Sequence, residues 1–423
     1  MKGIGLIVAR EGETLGRFGK KIVLIGAGNI GKGYLGDLFA AEGFHLTFLT
    51  HRQEQAESLR SRGSYTLYKT SEKTGETQKV MITGFDAYST AGEREQCIQA
   101  LCETNYASVH LYPGAYRQTA ELLAEAICRR AEQCPDQTLD IFFCVNSIGP
   151  AGEFSGYILP KLLTAAQKQY FESKVGLVET LTYRNAFRGS PEMLAIDPDT
   201  VMVSDYGVLP VDGDAMRGEI PIPALVALDK FQGRVTNKIW NINMRHYTLA
   251  LYTAYQGDSL MWKGAVNPYN RYCTTKAAEE ATFAVMQEFG FTFEDLKKGD
   301  RNKDDNDWWK RCANPEDTDT VARVAADPIR KLAKGERLVG PTLCCLKHGR
   351  IPYFLSRSVA LGYCYKDEQD QNAVALQAYL AENGIAAALE KYSGLTDADP
   401  DERLLRQLIC AQYEELTHRG GQA

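Results

Sequence analysis

Lys238, Asn243 and His246 lie in one short stretch, Lys-Ile-Trp-Asn-Ile-Asn-Met-Arg-His. At about 100° per residue, the spacing predicts a helix on which the three share an arc of roughly 140°. Ile242, Leu249, Ala250 and Thr253 fall on the same arc, so the polar trio sits on a mostly apolar face. A lysine and a histidine on such a face are costly unless they are paired or employed. Burial lowers an ammonium pKa toward neutrality, where the amine can take a hydroxyl proton and return it as a general base and acid. A solvated helix face with scattered polar groups gives the same spacing, so the surrounding sequence has to decide.

A second chemistry is written at Gly26, Gly28 and Gly31, which fit G-x-G-x-x-G within Gly-Ala-Gly-Asn-Ile-Gly. The pattern alone is weak. Here the run Lys-Ile-Val-Leu-Ile at 21–25 leads into it, and Tyr34, Leu35, Leu38 and Phe39 follow at helical spacing. A second strand is expected over 46–49. Strand, glycine turn and helix together make a dinucleotide-binding fingerprint: glycines admit a pyrophosphate to the backbone, and the helix N-terminus carries its charge. Gly26, Gly28, Asn29, Ile30 and Gly31 are the expected cradle. The second strand ends Thr50-His51-Arg52, where an NAD site usually presents an acid to the adenosine ribose diol. Hydroxyl, imidazole and guanidinium suit a 2′-phosphate better, so the expected cofactor is NAD(P), with NADP slightly ahead. Thr50 and Arg52 as ordinary loop residues are the plainer alternative.

These groups need scaffolding. Residues 107–111 and 141–145 read as further buried strands, ending at Pro113-Gly114 and Asn146-Ser147. Binding groups of open α/β sheets lie beyond the carboxyl ends of strands. Pro113 is therefore placed with the cofactor contacts and Asn146 with the reacting centre, although a strand-end asparagine is often a turn former. Residues 64–90 read as an irregular β excursion, 175–183 as a strand closing on Arg184, and 201–204 as an extension of the sheet. Prolines at 210, 221 and 223 mark a linker-like change of character. Helical patterning follows over roughly 238–256, 271–290, 318–334, 338–348, 355–364, 369–384, 386–393 and 401–417. Trp308-Trp309, inside a charged run, are expected to dock on the core. The expected fold is an extension (1–19), an α/β Rossmann-type N-terminal domain (20–215) and an all-α C-terminal domain (216–423), with an active site between the two domains.

Composition narrows the function. A net charge of −6 argues against a general nucleic-acid binder. No apolar run approaches the roughly 18 residues of a membrane span, and the first twenty residues lack a signal-peptide core. The eleven cysteines are scattered and form no C-x-x-C; His348 beside Cys344-Cys345 is a faint zinc pattern, and no metal is expected. Reduced, mostly buried thiols in a cytoplasmic protein are the simpler expectation. The expected partner is a small molecule, and the expected assembly a monomer or small homo-oligomer.

Lys238-x-x-x-x-Asn243-x-x-His246 after a Rossmann domain resembles the polyol-specific long-chain dehydrogenases, and especially their mannitol-phosphate branch. The opening at 26–33, Asp327-Pro328-Ile329-Arg330-Lys331-Leu332 with Glu336-Arg337-Leu338, and Ala388-Leu389-Glu390-Lys391-Tyr392-Ser393-Gly394-Leu395 are similar to that branch. The likeness runs from about Lys21 to near the C-terminus. It implies interconversion of a sugar alcohol phosphate and a ketose phosphate (mannitol 1-phosphate and fructose 6-phosphate type) by hydride transfer, with NAD as the cofactor by likeness, against the lean to NADP from the strand end. Lys238 would be the general base and acid, Asn243 and Asn146 would hold the oxygen as it becomes alkoxide-like, and His246 would bind a neighbouring hydroxyl. Arg184, Arg330 and Lys331 are the expected substrate contacts.

The sequence departs from that branch at Thr182-Tyr183-Arg184, where an acid usually precedes the arginine, at Met244-Arg245, and at the missing ribose acid. These departures leave the sugar and the cofactor preference open. A hexuronate or free-polyol reductase of the same superfamily is the alternative; a non-catalytic dinucleotide-binding sensor is the rival of another class.

Overall fold

The computed structural model describes residues 17–71, 73–145, 149–297, 305–315 and 319–420. Asn146 and Ser147 lie outside the described residues. The chain divides into two compact units, Met1–Phe231 and Gln232–Ala423.

Among the described residues, the first unit holds twelve strands: β1 (Lys21–Ile25), β2 (His45–Thr50), β3 (Ser64–Thr70), β4 (Thr77–Thr83), β5 (Phe85–Ser89), β6 (Tyr106–Val109), β7 (Leu139–Phe143), β8 (Val175–Glu179), β9 (Ala186–Arg188), β10 (Val201–Ser204), β11 (Leu209–Asp212) and β12 (Leu225–Leu228). Six form a parallel sheet in the order β5-β2-β1-β6-β7-β8. Alternate residues of these strands enter two separate cores. Val23, Ile25, Val109 and Ile141 face one way, and Ile22, Leu24, Phe48 and Phe142 the other. Burial on both faces is why the strands read as continuous apolar runs. The order reverses between β2-β1 and β6, which places the ligand crevice at the carboxyl ends of β1 and β6.

The β excursion is more regular than its sequence suggests. β3 and β4 form an antiparallel hairpin, and β5 returns to the main sheet. The stretch 201–204 does not extend that sheet: β10 pairs with β3 and β9 in a separate four-stranded sheet, β4-β3-β10-β9. The proline-punctuated segment is no free linker either. β11 pairs with β12, and Val211 bridges to Thr180 beside β8, so the segment is folded into the first unit.

The second unit packs helices around a large core, with a smaller cluster at Val285, Phe291 and Leu296. The helices include Met244–Tyr255, Pro268–Phe289, Val339–Lys347, Tyr353–Cys364, Gln371–Ser393 and Pro400–Gly420. Asn267 caps the long Pro268–Phe289 helix, its side chain accepting from the Tyr269 and Asn270 amides. The helix expected over 318–334 is instead two short ones, Val321–Ala325 and Pro328–Lys331. Asp327 between them is left-handed (φ 58°) and caps the second, whose first residue is Pro328. Trp308 and Trp309 are buried against the core. Among the described residues, no helix is long and apolar enough to cross a membrane.

Candidate dinucleotide cavity and candidate catalytic turn

In the first unit a cavity of about 1030 Å³ opens at the carboxyl ends of β1, β2 and β6. Gly26, Ala27, Gly28, Asn29, Thr50, His51 and Arg52 line it, with Lys32, Gln55, His110, Gly114 and Asp199. Ile30, Gly31 and Pro113 are absent from the lining. Gly31 sits beneath the loop, where a Cβ would stand 2.1 Å from the Gly26 carbonyl oxygen and 2.6 Å from the His110 ring. Gly26 adopts φ +110°, a conformation that favours glycine. A Cβ on Gly28 would meet nothing within 4 Å, so the loop leaves open space there. Exposed main chain at a helix start, with Arg52 on the rim, fits the pyrophosphate and adenosine of a dinucleotide.

Several cavity residues escaped the sequence reading. Lys32, one residue past the fingerprint, is buried and bonds Asp199 through its Oδ1 at 2.7 Å and its carbonyl at 3.0 Å. Burial pushes the Lys32 pKa down, and Asp199 only partly offsets this. His110 lines the cavity half-buried behind the glycine loop, with Nε2 3.0 Å from Ser108 Oγ; burial pushes its pKa down to about 4, against the pull of a backbone hydrogen bond at Gly26. Gln55 bridges the end of β2 to the glycine loop, accepting from Thr50 Oγ1 at 2.7 Å and donating to the Ala27 carbonyl at 2.9 Å. Lys32 and His110 could have been picked out by position, after the fingerprint and beyond β6. Asp199 is brought in by a different sheet, and no local signal marks it.

Arg184 is not in the cavity lining. Its side chain is 1% exposed and pairs with Asp37 at 2.7 Å; Nε donates to the Ser204 carbonyl at 2.6 Å, and the guanidinium lies over the Tyr34 ring. Lys69 joins the same carboxylate at 2.8 Å, so Asp37, on the Gly36–Ala41 helix, links β3 to the segment between β8 and β9.

In the second unit, Lys238–Asn243 is a π-helical turn that runs into the Met244–Tyr255 helix. Its wider i→i+5 closure means that an α-helical wheel misplaces Lys238 and Asn243 relative to His246. The turn is anchored from both sides. Trp240 Nε1 donates to the Gly335 carbonyl at 3.0 Å, and Asn241 Nδ2 to Thr282 Oγ1 at 2.7 Å. Lys238, Asn243 and His246 are all half-buried. His246 Nε2 stands 3.7 Å from Asp319, which Arg323 grips through both carboxylate oxygens. Burial pushes the Asp319 carboxyl up, but Arg323 and His246 outweigh it and hold the pKa below its ordinary value. Trp308 lies edge-on to His246 and beneath the Arg245 guanidinium at 4.4 Å. Asp319 was missed because it adjoins a charged, patternless stretch.

Arg330 and Lys331 face different surroundings. Arg330 is half-exposed and pairs with Asp327 at 2.8 Å and Glu336 at 3.5 Å. Lys331 is buried: Nζ donates to the carbonyls of Val324 (2.8 Å) and Ala326 and lies over the Tyr247 ring. Burial, with Arg337 and Arg330 nearby, pushes its pKa down to about 7. Elsewhere the fold brings Cys344 and His348 to Glu288, which the sequence does not show. There Glu288 accepts from Lys347 through both carboxylate oxygens (2.7 and 2.8 Å) and lies 2.9 Å from His348, while burial pushes the Cys344 thiol up to about 12. The carboxylate is therefore already charge-paired and the thiol protonated.

An α/β unit with a cavity at its glycine loop is thus followed by a helical unit that carries the Lys238 turn. The mannitol dehydrogenase Rossmann-domain profile matches residues 20–209, and the mannitol dehydrogenase C-terminal-domain profile matches 228–417. The chain belongs to the mannitol dehydrogenase family. Its fold is similar to Pseudomonas fluorescens mannitol 2-dehydrogenase, solved as a ternary complex with NAD and D-mannitol (TM-score 0.69, 16% identity, 95% of this chain and 92% of that one). It is also similar to a D-sorbitol dehydrogenase solved in substrate-free form (TM-score 0.72, 14% identity, 94% and 93% coverage).

Proposed function

We propose that the protein is an NAD(P)-dependent polyol dehydrogenase that interconverts a sugar alcohol and a ketose. The observation that carries this is the anchored π-helical turn bearing Lys238, Asn243 and His246, in a chain that matches the mannitol dehydrogenase family in both units. Lys238 takes the hydroxyl proton in oxidation and returns it in reduction. Asn243 donates a hydrogen bond to the oxygen as negative charge gathers on it. His246, oriented by Asp319, binds an adjacent hydroxyl. The nicotinamide, when bound, supplies the hydride acceptor or donor.

The sequence likeness puts the mannitol-1-phosphate 5-dehydrogenase reaction first, with mannitol 1-phosphate and fructose 6-phosphate as the pair. A free polyol is favoured by one observation: Arg330 and Lys331, two of the expected substrate contacts and the cations available for a phosphate, are engaged by carboxylates and by backbone carbonyls. The deciding experiment assays fructose 6-phosphate, fructose and a ketohexuronate with NADH and with NADPH, followed by absorbance loss. Turnover of fructose 6-phosphate well above fructose supports the phosphate reading, and the reverse order the free-polyol reading. Dinucleotide binding without turnover of any of them points to a sensor.

A further inference from the structure

We propose that Gln55 reads the adenosine ribose in place of the missing carboxylate, and that its neutrality lets one cavity take both NAD and NADP. The inference rests on the dinucleotide reading of the cavity above. β2 ends at Thr50 with no acid, and the Gln53–Arg62 helix begins three residues later. One turn of that helix brings the Gln55 carboxamide back over the strand end, where Oε1 accepts from Thr50 Oγ1 (2.7 Å) and Nε2 donates to the Ala27 carbonyl (2.9 Å). The amide therefore bridges the carboxyl end of β2 and the glycine loop and lines the cavity. That is where a dinucleotide fingerprint places its ribose acid.

The nearby carboxylates are otherwise placed. Asp199 is bonded by Lys32 at 2.7 Å and Ser58 at 3.4 Å. Glu57 accepts from Gln53 at 2.8 Å and does not line the cavity. Glu54 and Glu121 also line it; Glu121 pairs with Lys161 at 3.2 Å, and Glu54, with an exposed side chain, is the competitor to test.

The chemistry follows from the amide. A carboxylate only accepts: it takes both hydrogen bonds of a ribose diol and repels a 2′-phosphate. A carboxamide offers a second lone pair on Oε1 to a ribose hydroxyl and a second N–H hydrogen to a hydroxyl or to a phosphate oxygen. Arg52, on the rim of the same cavity, adds charge for a 2′-phosphate without penalising a diol.

The test measures dissociation constants of NAD and NADP by calorimetry on the full chain, for wild type and for Gln55→Glu, Gln55→Met and Glu54→Gln. Thermal melts report folding. Expected are wild-type constants within about tenfold of each other, and a shift of roughly 10- to 100-fold toward NAD in Gln55→Glu. Gln55→Met should weaken both dinucleotides by about tenfold with little change in their ratio, and Glu54→Gln should leave the ratio within about threefold. A Gln55→Glu ratio within threefold of wild type overturns the proposal, as does a larger shift in Glu54→Gln. If Gln55→Glu does not fold, unchanged binding of both dinucleotides by Gln55→Met overturns it instead. Failure of the wild type to bind either dinucleotide removes the cofactor reading itself, a separate outcome.

Discussion

Lys32 Nζ stands 2.7 Å from Asp199 Oδ1, and both side chains are 6% exposed. The pair joins the helix after the glycine loop to the turn before β10, 167 residues later. Removing one partner of a buried pair leaves an uncompensated charge, typically costing about 3–5 kcal/mol. Asp199→Ala should therefore lower the urea midpoint sharply, while Lys32→Met with Asp199→Leu should recover most of the loss. Chemical denaturation of the three proteins checks this; a double variant as unstable as Asp199→Ala would show that the ion pair is not the cause.

His110 supplies an acid limit. Its pKa is near 4 in the fold against an ordinary 6.5, because charging it beneath the glycine loop is unfavourable. The unfolded chain thus binds the proton first. Stability is full above about pH 6.5 and is lost progressively as pH falls through 4. His110→Gln, which keeps a polar group for Ser108, should melt at a temperature less dependent on pH between 6.5 and 4. Parallel melting curves for the two proteins across that window would remove His110 as the titrating group.

Much of this was legible in the sequence, for a physical reason: the strands β1, β2, β6 and β7 and the glycine turn are local patterns, set by residues adjacent in the chain. The helical second unit follows from the same periodicity, and Gly384 (φ 76°) interrupts the Gln371–Ser393 helix where the pattern expects a break. What escaped depends on contacts far apart in sequence. Nothing near Val201 says that β10 pairs with β3 rather than the main sheet, and nothing near Asp199 or Asp319 announces a partner in Lys32 or His246. The π-helical closure at Lys238 escaped because residue types do not encode a shift from i→i+4 to i→i+5.

Lys331 gives the opposite kind of pH signature from a surface lysine. Its pKa falls from an ordinary 10.5 to about 7, with burial the first cause and Arg337 the second. Between those values the unfolded chain holds a proton that the fold lacks. The fold therefore gains stability as pH rises from 7 toward 10.5 and keeps none of that gain below 7. Lys331→Met removes the titration, so stability relative to wild type should be greatest near pH 7 and should decline toward pH 10. A change on the order of 1–3 kcal/mol across that range is expected. Denaturant midpoints at pH 7, 8.5 and 10 measure it, and a pH-independent difference between the two proteins counts against the buried ammonium.

Lys238 carries the functional reading, and its variants separate chemistry from binding. The residue opens a π-helical turn, an irregularity that recurs at functional sites, and the turn is anchored by Trp240 on Gly335 and Asn241 on Thr282. With those two anchors kept, Lys238→Ala should leave the fold intact. Dinucleotide affinity should also hold, because the candidate cavity lies wholly in the first unit. Turnover should fall by on the order of 10² to 10⁴, the usual contribution of a general acid–base group. Lys238→Arg should not rescue it, since a guanidinium stays protonated at any working pH and cannot act as the base. Steady-state kinetics on the substrate found by the ketose panel, with dinucleotide titration alongside, provide the measurement. Turnover within threefold of wild type in Lys238→Ala, or full activity in Lys238→Arg, takes the proton-transfer role away from this residue.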